Sequence, residues 1–313
     1  MQYCPAVIIG GNTLGRRLEF TVPKEYDGKK VIHLLRGFAG VSARTVGTLK
    51  RTPDGITLNG AHIRTIDRIK EGDVVAISLP EDGNLPEPVN AEIDVIYEDS
   101  DILAVNKSPF MAMHPTHNHQ GDTLANAVAG YLKREGKSAT FRAVGRLDKG
   151  TSGIVICALN RYAAARIPKS VEKVYLAVVN GRFEGNGTID VPIYRPDPMK
   201  TLRACGNEGE TAVTHWKSLF TNGEYSLMKI RLETGRTHQI RVHFAHLGAP
   251  LVGDSMYGED RFGIGHQLLH CARSEFAHPV TGDVMILRAE PPEDFVNFCQ
   301  SFIDEENFNK IFN

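Results

Sequence analysis

Three short stretches hold residue types that can do chemistry together. In Val144–Gly153, VGRLDKGTSG, Asp148 lies between Arg146 and a Thr-Ser pair, directly before the apolar run Ile154–Leu159. A loop entering a buried strand can hold one carboxylate rigidly at a cleft wall. The plainer alternative is a turn aspartate bonded to nearby backbone N–H groups. In Glu233–His243, ETGRTHQIRVH, His238 and Arg241 are three residues apart, so a helix would turn both to one cleft, with Arg236 at its entry. A guanidinium beside a lone carboxylate keeps it ionised and can grip it with a planar fork. The alternative is arginines that hold the fold. In Glu172–Gly181, EKVYLAVVNG, strand alternation turns Tyr175 away from Val174 and Leu176. A tyrosine so placed can stack on a planar base and offer a hydroxyl, or can simply pack in a core.

These stretches need strands and helices to bring them together. Asp101–Asn106, Ile154–Leu159, Lys173–Val179 and Tyr225–Leu232 read as strands. Leu124, Ala127, Val128, Tyr131 and Leu132 fall on one helical face, with Asp122 available as cap. Thr237–Leu247 reads as a helix stopped by Gly248. Phe295, Phe298, Phe302 and Phe308 in the acidic tail suggest a packed terminal helix.

Ahead of them lies a smaller unit. Val31, Leu34, Leu35 and Phe38 repeat at helical spacing before Gly40, and Ser42 can cap a second helix. GITLNG is a strand entering an Asn-Gly turn, and VVAISL a closing strand. Gly28–Gly72 carries nine Lys/Arg against three acidic residues, a net +6 on a chain whose total is −1. Such a segment points to a polyanion or to a solvated face. Arg44, Lys50 and Arg51 are its candidate contacts. The Pro-rich, acidic Leu79–Asn90 reads as a linker. The expected domains are therefore 1–85 and 86–313.

Composition removes several classes. With 42% hydrophobic and 23% charged residues, the 313-residue chain is an ordinary globular protein, not a disordered or fibrous one. No apolar run nears the ~20 residues of a membrane span, and no signal peptide is read at the N-terminus. Five scattered cysteines without a CxxC pair suit a reducing, cytoplasmic setting.

Four stretches, VNKSPFMAMHP (105–115), GRLDKGTSG, KVYLAVVNG and TGRTHQIRVHFAHLGAPLVGD, followed by LHCARSEFAHPVTG (269–282), resemble in order the RluA-type pseudouridine synthases. The N-terminal unit resembles a small RNA-binding module named after a ribosomal small-subunit protein. The resemblance implies an α+β fold whose catalytic domain is a mixed, mainly antiparallel sheet. It implies Asp148 as the catalytic aspartate, Tyr175 as the residue stacked on uracil, and Arg241 as the partner of Asp148. Arg146 matches the arginine that occupies the space left by a flipped nucleotide. Arg236 and His238 fall in the same motif and are expected near the base. Gly145, where the family often has His, and Lys107-Ser108-Pro109-Phe110 depart from its pattern and bear on how RNA is held.

The implied reaction breaks the C1′–N1 bond of uridine, rotates the uracil and rejoins it through C5. Nothing is oxidised and no phosphoryl group moves, so no cofactor and no metal are expected. Asp148 would attack the sugar or assist loss of a sugar proton. The expected partner is RNA, ribosomal before transfer RNA, with no membrane and a monomeric enzyme. Two rivals belong to other classes. A metallohydrolase would use His114, His117 and His119 or His238, His243 and His246, although no HExxH or paired-Cys motif is present. A non-catalytic RNA-binding protein would need only the basic segment.

Overall fold

The computed structural model describes residues 16–80, 85–116, 119–137, 139–167 and 171–312. Residues 1–15 of the expected N-terminal unit, part of the expected linker, Cys4 and His117 lie outside the described residues.

The N-terminal unit follows its sequence signals closely. Strand β1 (Arg16–Thr21) precedes helix α1 (Val31–His33), which continues as a π-helical turn through Phe38. Helix α2 (Ala43–Leu49) starts at Ser42, whose hydroxyl accepts from the Thr45 N–H. Strands β2 (Ile56–Leu58) and β3 (Ala61–His62) flank Asn59-Gly60, both at positive φ, and β4 (Val74–Leu79) closes the sheet in the order β1-β4-β2-β3. Leu18, Phe20, Val31, Leu34, Leu35 and Ile77 form its core. That core is not self-contained: Tyr162 and Val280, from beyond the linker, are buried in it. The linker therefore does not separate two independent cores, as its composition suggested.

The remainder is built on one ten-stranded sheet. Its elements are β5 (Asp94–Glu98), β6 (Ile102–Lys107), α3 (Leu124–Arg134), β7 (Arg142–Val144), β8 (Ser152–Ala158), α4 (Arg161–Arg166), β9 (Glu172–Asn180) and β10 (Asn186–Asp190). There follow β11 (Ile193–Tyr194), β12 (Ala204–Cys205), β13 (Val213–Thr221), β14 (Tyr225–Leu232), α5 (Gln239–His246), β15 (Leu269–Ala277), β16 (Val284–Arg288), α6 (Glu293–Phe302) and α7 (Glu305–Phe312). The main order is β10-β13-β14-β9-β15-β8-β6-β5, with β16 on β15 and β7 on β8. Every pairing is antiparallel except β15 with β8. This is the mixed, mainly antiparallel α+β architecture expected. Strand β8 is buried along its whole length, which explains its unbroken apolar run.

Three local expectations need correction. Helix α3 is capped by Thr123, which accepts from Asn126 N–H; Asp122 instead meets His119 at 2.6 Å. The tail forms two helices broken at Ile303–Asp304, and only Phe295 of its phenylalanines is fully buried. Helix α5 begins two residues later than expected, because His238 takes a left-handed conformation (φ 59°).

The parallel seam between β15 and β8 positions the site. It is short, pairing His270 with Ser152 and Cys271 with Gly153. A Cβ on Gly153 would lie 2.4 Å from the Cys271 carbonyl oxygen, and its φ is +108°, so the seam closes only around glycine. The Asp148 loop enters β8 at this seam.

Candidate active site

Asp148 is fixed from below through its own loop. Its carbonyl accepts from the Thr151 N–H at 3.0 Å, and Thr151 Oγ1 accepts from the buried Gln267 Nε2 at 2.9 Å. Buried Lys107 donates to the carbonyls of Ser108 (2.7 Å), Met111 (2.8 Å) and Lys149 (3.0 Å), tying the end of β6 to the residue after Asp148. Burial pulls the Lys107 pKa down to about 7, opposed by the charge of Asp148. Three carbonyl acceptors require all three N–H bonds of the ammonium, so the geometry holds Lys107 protonated. Ser152 and His270 continue the support at 2.9 Å, and His270 Nε2 donates to the Ala289 carbonyl at 3.0 Å.

Facing Asp148 is the first turn of α5. Gln239 Oε1 accepts from the Arg236 N–H and from Thr234 Oγ1, both at 2.9 Å, which organises the helix entry. Arg241 Nη1 lies 3.7 Å from Asp148 Oδ2, and His238 Nε2 lies 3.9 Å from Oδ1. The Arg241 fork does not hold Asp148, contrary to expectation. Its Nε and Nη2 bind Asp254 at 2.6 and 2.8 Å, and the guanidinium lies over the Tyr257 ring, 5.1 Å from its centroid. Asp254 is 1% exposed and Arg241 6%, so a planar bidentate pair is the geometry that satisfies both charges. Burial opposes the Arg241 charge, but Asp254 and then Asp148 outweigh it and raise its pKa. One N–H edge remains for Asp148.

His238 is held by Tyr257, whose hydroxyl lies 2.9 Å from Nδ1 and accepts from the Arg203 N–H at 2.9 Å. Burial, despite Asp148 and aided by Arg241 and Arg203, lowers the His238 pKa, favouring neutral imidazole. Its left-handed backbone is a strained position for a non-glycine residue. Tyr175 of β9 is buried and borders the same pocket; burial, with Cys271 and Asp148 nearby, pushes its hydroxyl pKa well up.

Asp148, Tyr175, Arg146, Arg236, His238 and Arg241 thus line one small pocket of about 110 Å³. Arg146 is exposed at its lip. Arg236 reaches away from Asp148, donating to the Thr211 carbonyl at 3.0 Å and pairing with exposed Glu210. Arg44, Lys50 and Arg51 lie outside this pocket, exposed on α2 and just after it. Of the candidate zinc-ligating histidines, His243 bonds Thr214 and the Val191 carbonyl, and His119 bonds Asp122. Among the described residues the one compact group of potential ligands is Asp99, Asp101 and His278, remote from Asp148, where Asp101 already carries Arg16 and Asn160.

Asp254, Tyr257 and Lys107 have positions here that sequence reasoning did not assign. Asp254 stood inside a quoted motif, and a lone acid following a conformationally free Gly253 was its available signal. Lys107 was visible only as part of a departing turn, and nothing local marked Tyr257.

The RNA pseudouridylate synthase family matches residues 101–246. The uncharacterized RNA pseudouridine synthase YjbO of Bacillus subtilis is 36% identical over 267 residues, covering 82% of this chain and 94% of the relative. The ribosomal large subunit pseudouridine synthase D of Pseudomonas aeruginosa is 33% identical over 278 residues, covering 81% and 85%. In fold, the chain is similar to human RNA pseudouridylate synthase domain containing 4, with a TM-score of 0.53 and 20% identity over 67% of this chain and 92% of that one. Matched in sequence along four-fifths of its length and in fold along two-thirds, the chain belongs to the RNA pseudouridylate synthase family and is an RNA-modifying isomerase.

Proposed function

We propose that this enzyme isomerises specific uridines in ribosomal RNA, with Asp148 as the carboxylate that works at C1′. One observation carries the reading: three of the motif stretches, those of Asp148, Tyr175 and Arg241, distant in the chain, converge on a pocket in which Asp148 faces a partly engaged arginine and a buried tyrosine. The ribosomal target is supported by relatives named as large-subunit enzymes.

The chemistry follows from the surroundings. Bond cleavage at C1′ needs a carboxylate beside the sugar, and the free edge of Arg241, 3.7 Å from Asp148, sets a guanidinium charge next to it, with the neutral His238 ring 3.9 Å away on its other oxygen. Tyr175 supplies a face for the uracil, worth roughly 1–3 kcal/mol, which offsets part of the few kcal/mol spent in unstacking the base. Arg146, exposed at the lip, fills the space left by the flipped nucleotide. Arg236 and His238 border the detached base. Asp254 acts through Arg241, keeping one guanidinium edge aimed at Asp148.

Residues 1–85 serve as the RNA-binding module and 86–313 as the catalytic domain, with Arg44, Lys50 and Arg51 contacting phosphates. The enzyme acts as a monomer in this reading. Free Cys157, Cys205, Cys271 and Cys299 support a reducing cytoplasm. No helix among the described residues is long and apolar enough to cross a membrane. Mapping pseudouridine across total RNA from cells with and without the gene tests the proposal. Loss of defined ribosomal positions is expected; loss confined to transfer RNA would redirect the substrate, and no loss in any RNA would overturn it.

A further inference from the structure

The N-terminal unit is clamped to the catalytic sheet at two edges. At one, Arg16 forks the Asp101 carboxylate at 3.0 and 2.7 Å. At the other, α4 reaches into the unit. Arg161 donates to Thr48 Oγ1 at 3.0 Å, and Tyr162 and Arg166 donate to the Ala39 carbonyl at 2.9 and 3.1 Å. Tyr162 is itself buried in the unit's core. These contacts fix which face of α2 looks along the catalytic surface.

The result is a succession of cations. Arg44, exposed on α2, lies one turn before Thr48, which Arg161 bonds, and Arg142 of β7 pairs with Ala158, three residues before Arg161, so both cations stand at the same edge of the junction. Arg142 is half-buried and bonded to Thr140; burial and then the charge of Arg44 both work against its own. Strand β7 runs from Arg142 through Val144 directly into Gly145 and Arg146. Gly145, at φ +77°, is exposed and has no side chain. Lys173 Nζ lies 3.5 Å from where its Cβ would be, so an ammonium from β9 covers the bare turn. Arg146 follows at the pocket lip. Among the described residues, Arg44, Lys173 and Arg146 have no carboxylate at ion-pairing distance. Like charges gathered without counter-ions cost free energy that a polyanion recovers.

We propose that Arg44, Arg142, Lys173 and Arg146 form a continuous phosphate track across the domain junction, which grips the RNA backbone flanking the target uridine. The inference rests on the RNA-modifying reading of the pocket and adds Arg142 and Lys173 to its RNA contacts. The rigid clamp makes the track one surface, so that strand held by α2 and strand entering the pocket stay at a fixed separation.

The test uses the full chain and a labelled RNA hairpin with a uridine-containing loop, alongside the loop alone without its stem. Affinities are measured across salt for wild type, Arg44→Gln, Lys173→Gln and the double variant. Each removed phosphate contact should lower the slope of log affinity against log salt by about 0.7–0.9, roughly a threefold smaller loss of affinity over a fourfold rise in salt. Both variants should lose more affinity for the hairpin than for the bare loop. Lys310→Gln, at the acidic end of the chain, should change neither. Lys173→Arg should restore the slope, which separates charge from packing if Lys173→Gln lowers the melt. Unchanged slopes with unchanged melts, or equal losses on both RNAs, would overturn the track. Pseudouridine formation by wild type in total RNA is followed in parallel. Its presence with unchanged slopes removes only the track, and its absence removes the reading of the pocket.

Discussion

The pocket and the N-terminal unit use charge in opposite ways. Arg241 and Asp254 are almost withdrawn from water and satisfy each other in a fork, so their value lies in where they hold atoms. Arg44, Lys50 and Arg51 stand exposed around α2, and their value lies in long-range attraction that salt can weaken. The difference teaches where each substitution should be felt. Changes in the pocket should alter rate and stability with little salt dependence; changes on the unit should alter affinity and its salt slope with little effect on the fold.

The largest effect is expected at Asp254. Asp254→Ala leaves a buried guanidinium unpaired, at a cost of about 3–5 kcal/mol. A melting temperature lowered by at least about 6 °C is expected, with turnover falling as Arg241 loses its orientation. A melt within one degree of wild type would show that the buried pair is not what holds α5. Next comes acid. Burial lowers the His270 pKa to about 4, below the ordinary 6.5, so the unfolded chain takes up the proton first. The stability contributed by neutral His270 is present above pH 6.5 and is lost as pH falls from there to 4, up to about 3 kcal/mol. Urea midpoints against pH should follow that window for wild type and flatten in His270→Gln. An equal slope in both would move the acid sensitivity elsewhere.

Smaller effects sharpen the contrast. Tyr175→Phe keeps the stacking face and loses the hydroxyl, so single turnover should slow by at least about tenfold, near 1.4 kcal/mol, with affinity nearly kept. Tyr175→Ala should also weaken binding. Equal rates for Phe and wild type would deny the hydroxyl a part in proton transfer. Arg236→Lys should be the mildest, under about 1 kcal/mol by thermal melt, because its partner Glu210 is exposed. If it proves more damaging than Arg241→Lys, the roles of the two arginines are exchanged.

Most of the fold was legible because local signals and tertiary packing agreed. Ser42, the Asn59-Gly60 turn and the period of Leu124–Leu132 each pointed to the element that formed. The site was legible as a set of residues but not as a set of bonds. Spacing put His238 and Arg241 in one cleft, although His238 precedes α5 in a left-handed turn rather than lying on its face. It carried no information about Asp254, thirteen positions on, which outcompetes Asp148 for the fork because it is the more deeply buried carboxylate. The docking of Tyr162 into the N-terminal core was equally hidden, since a tyrosine among alanines in RYAAAR has no periodicity that reveals a second domain.

The most direct test is single turnover by Asp148→Asn on an RNA that wild type modifies, with binding measured alongside. The substitution removes the charge and retains the shape, and Asp148 lies 3.7 Å from Arg241 while the structural fork rests on Asp254. Pseudouridine formation should fall below detection, with RNA affinity and melting temperature close to wild type. Formation at a rate near wild type by the purified, folded variant would contradict the assignment of Asp148 and with it the account of the pocket.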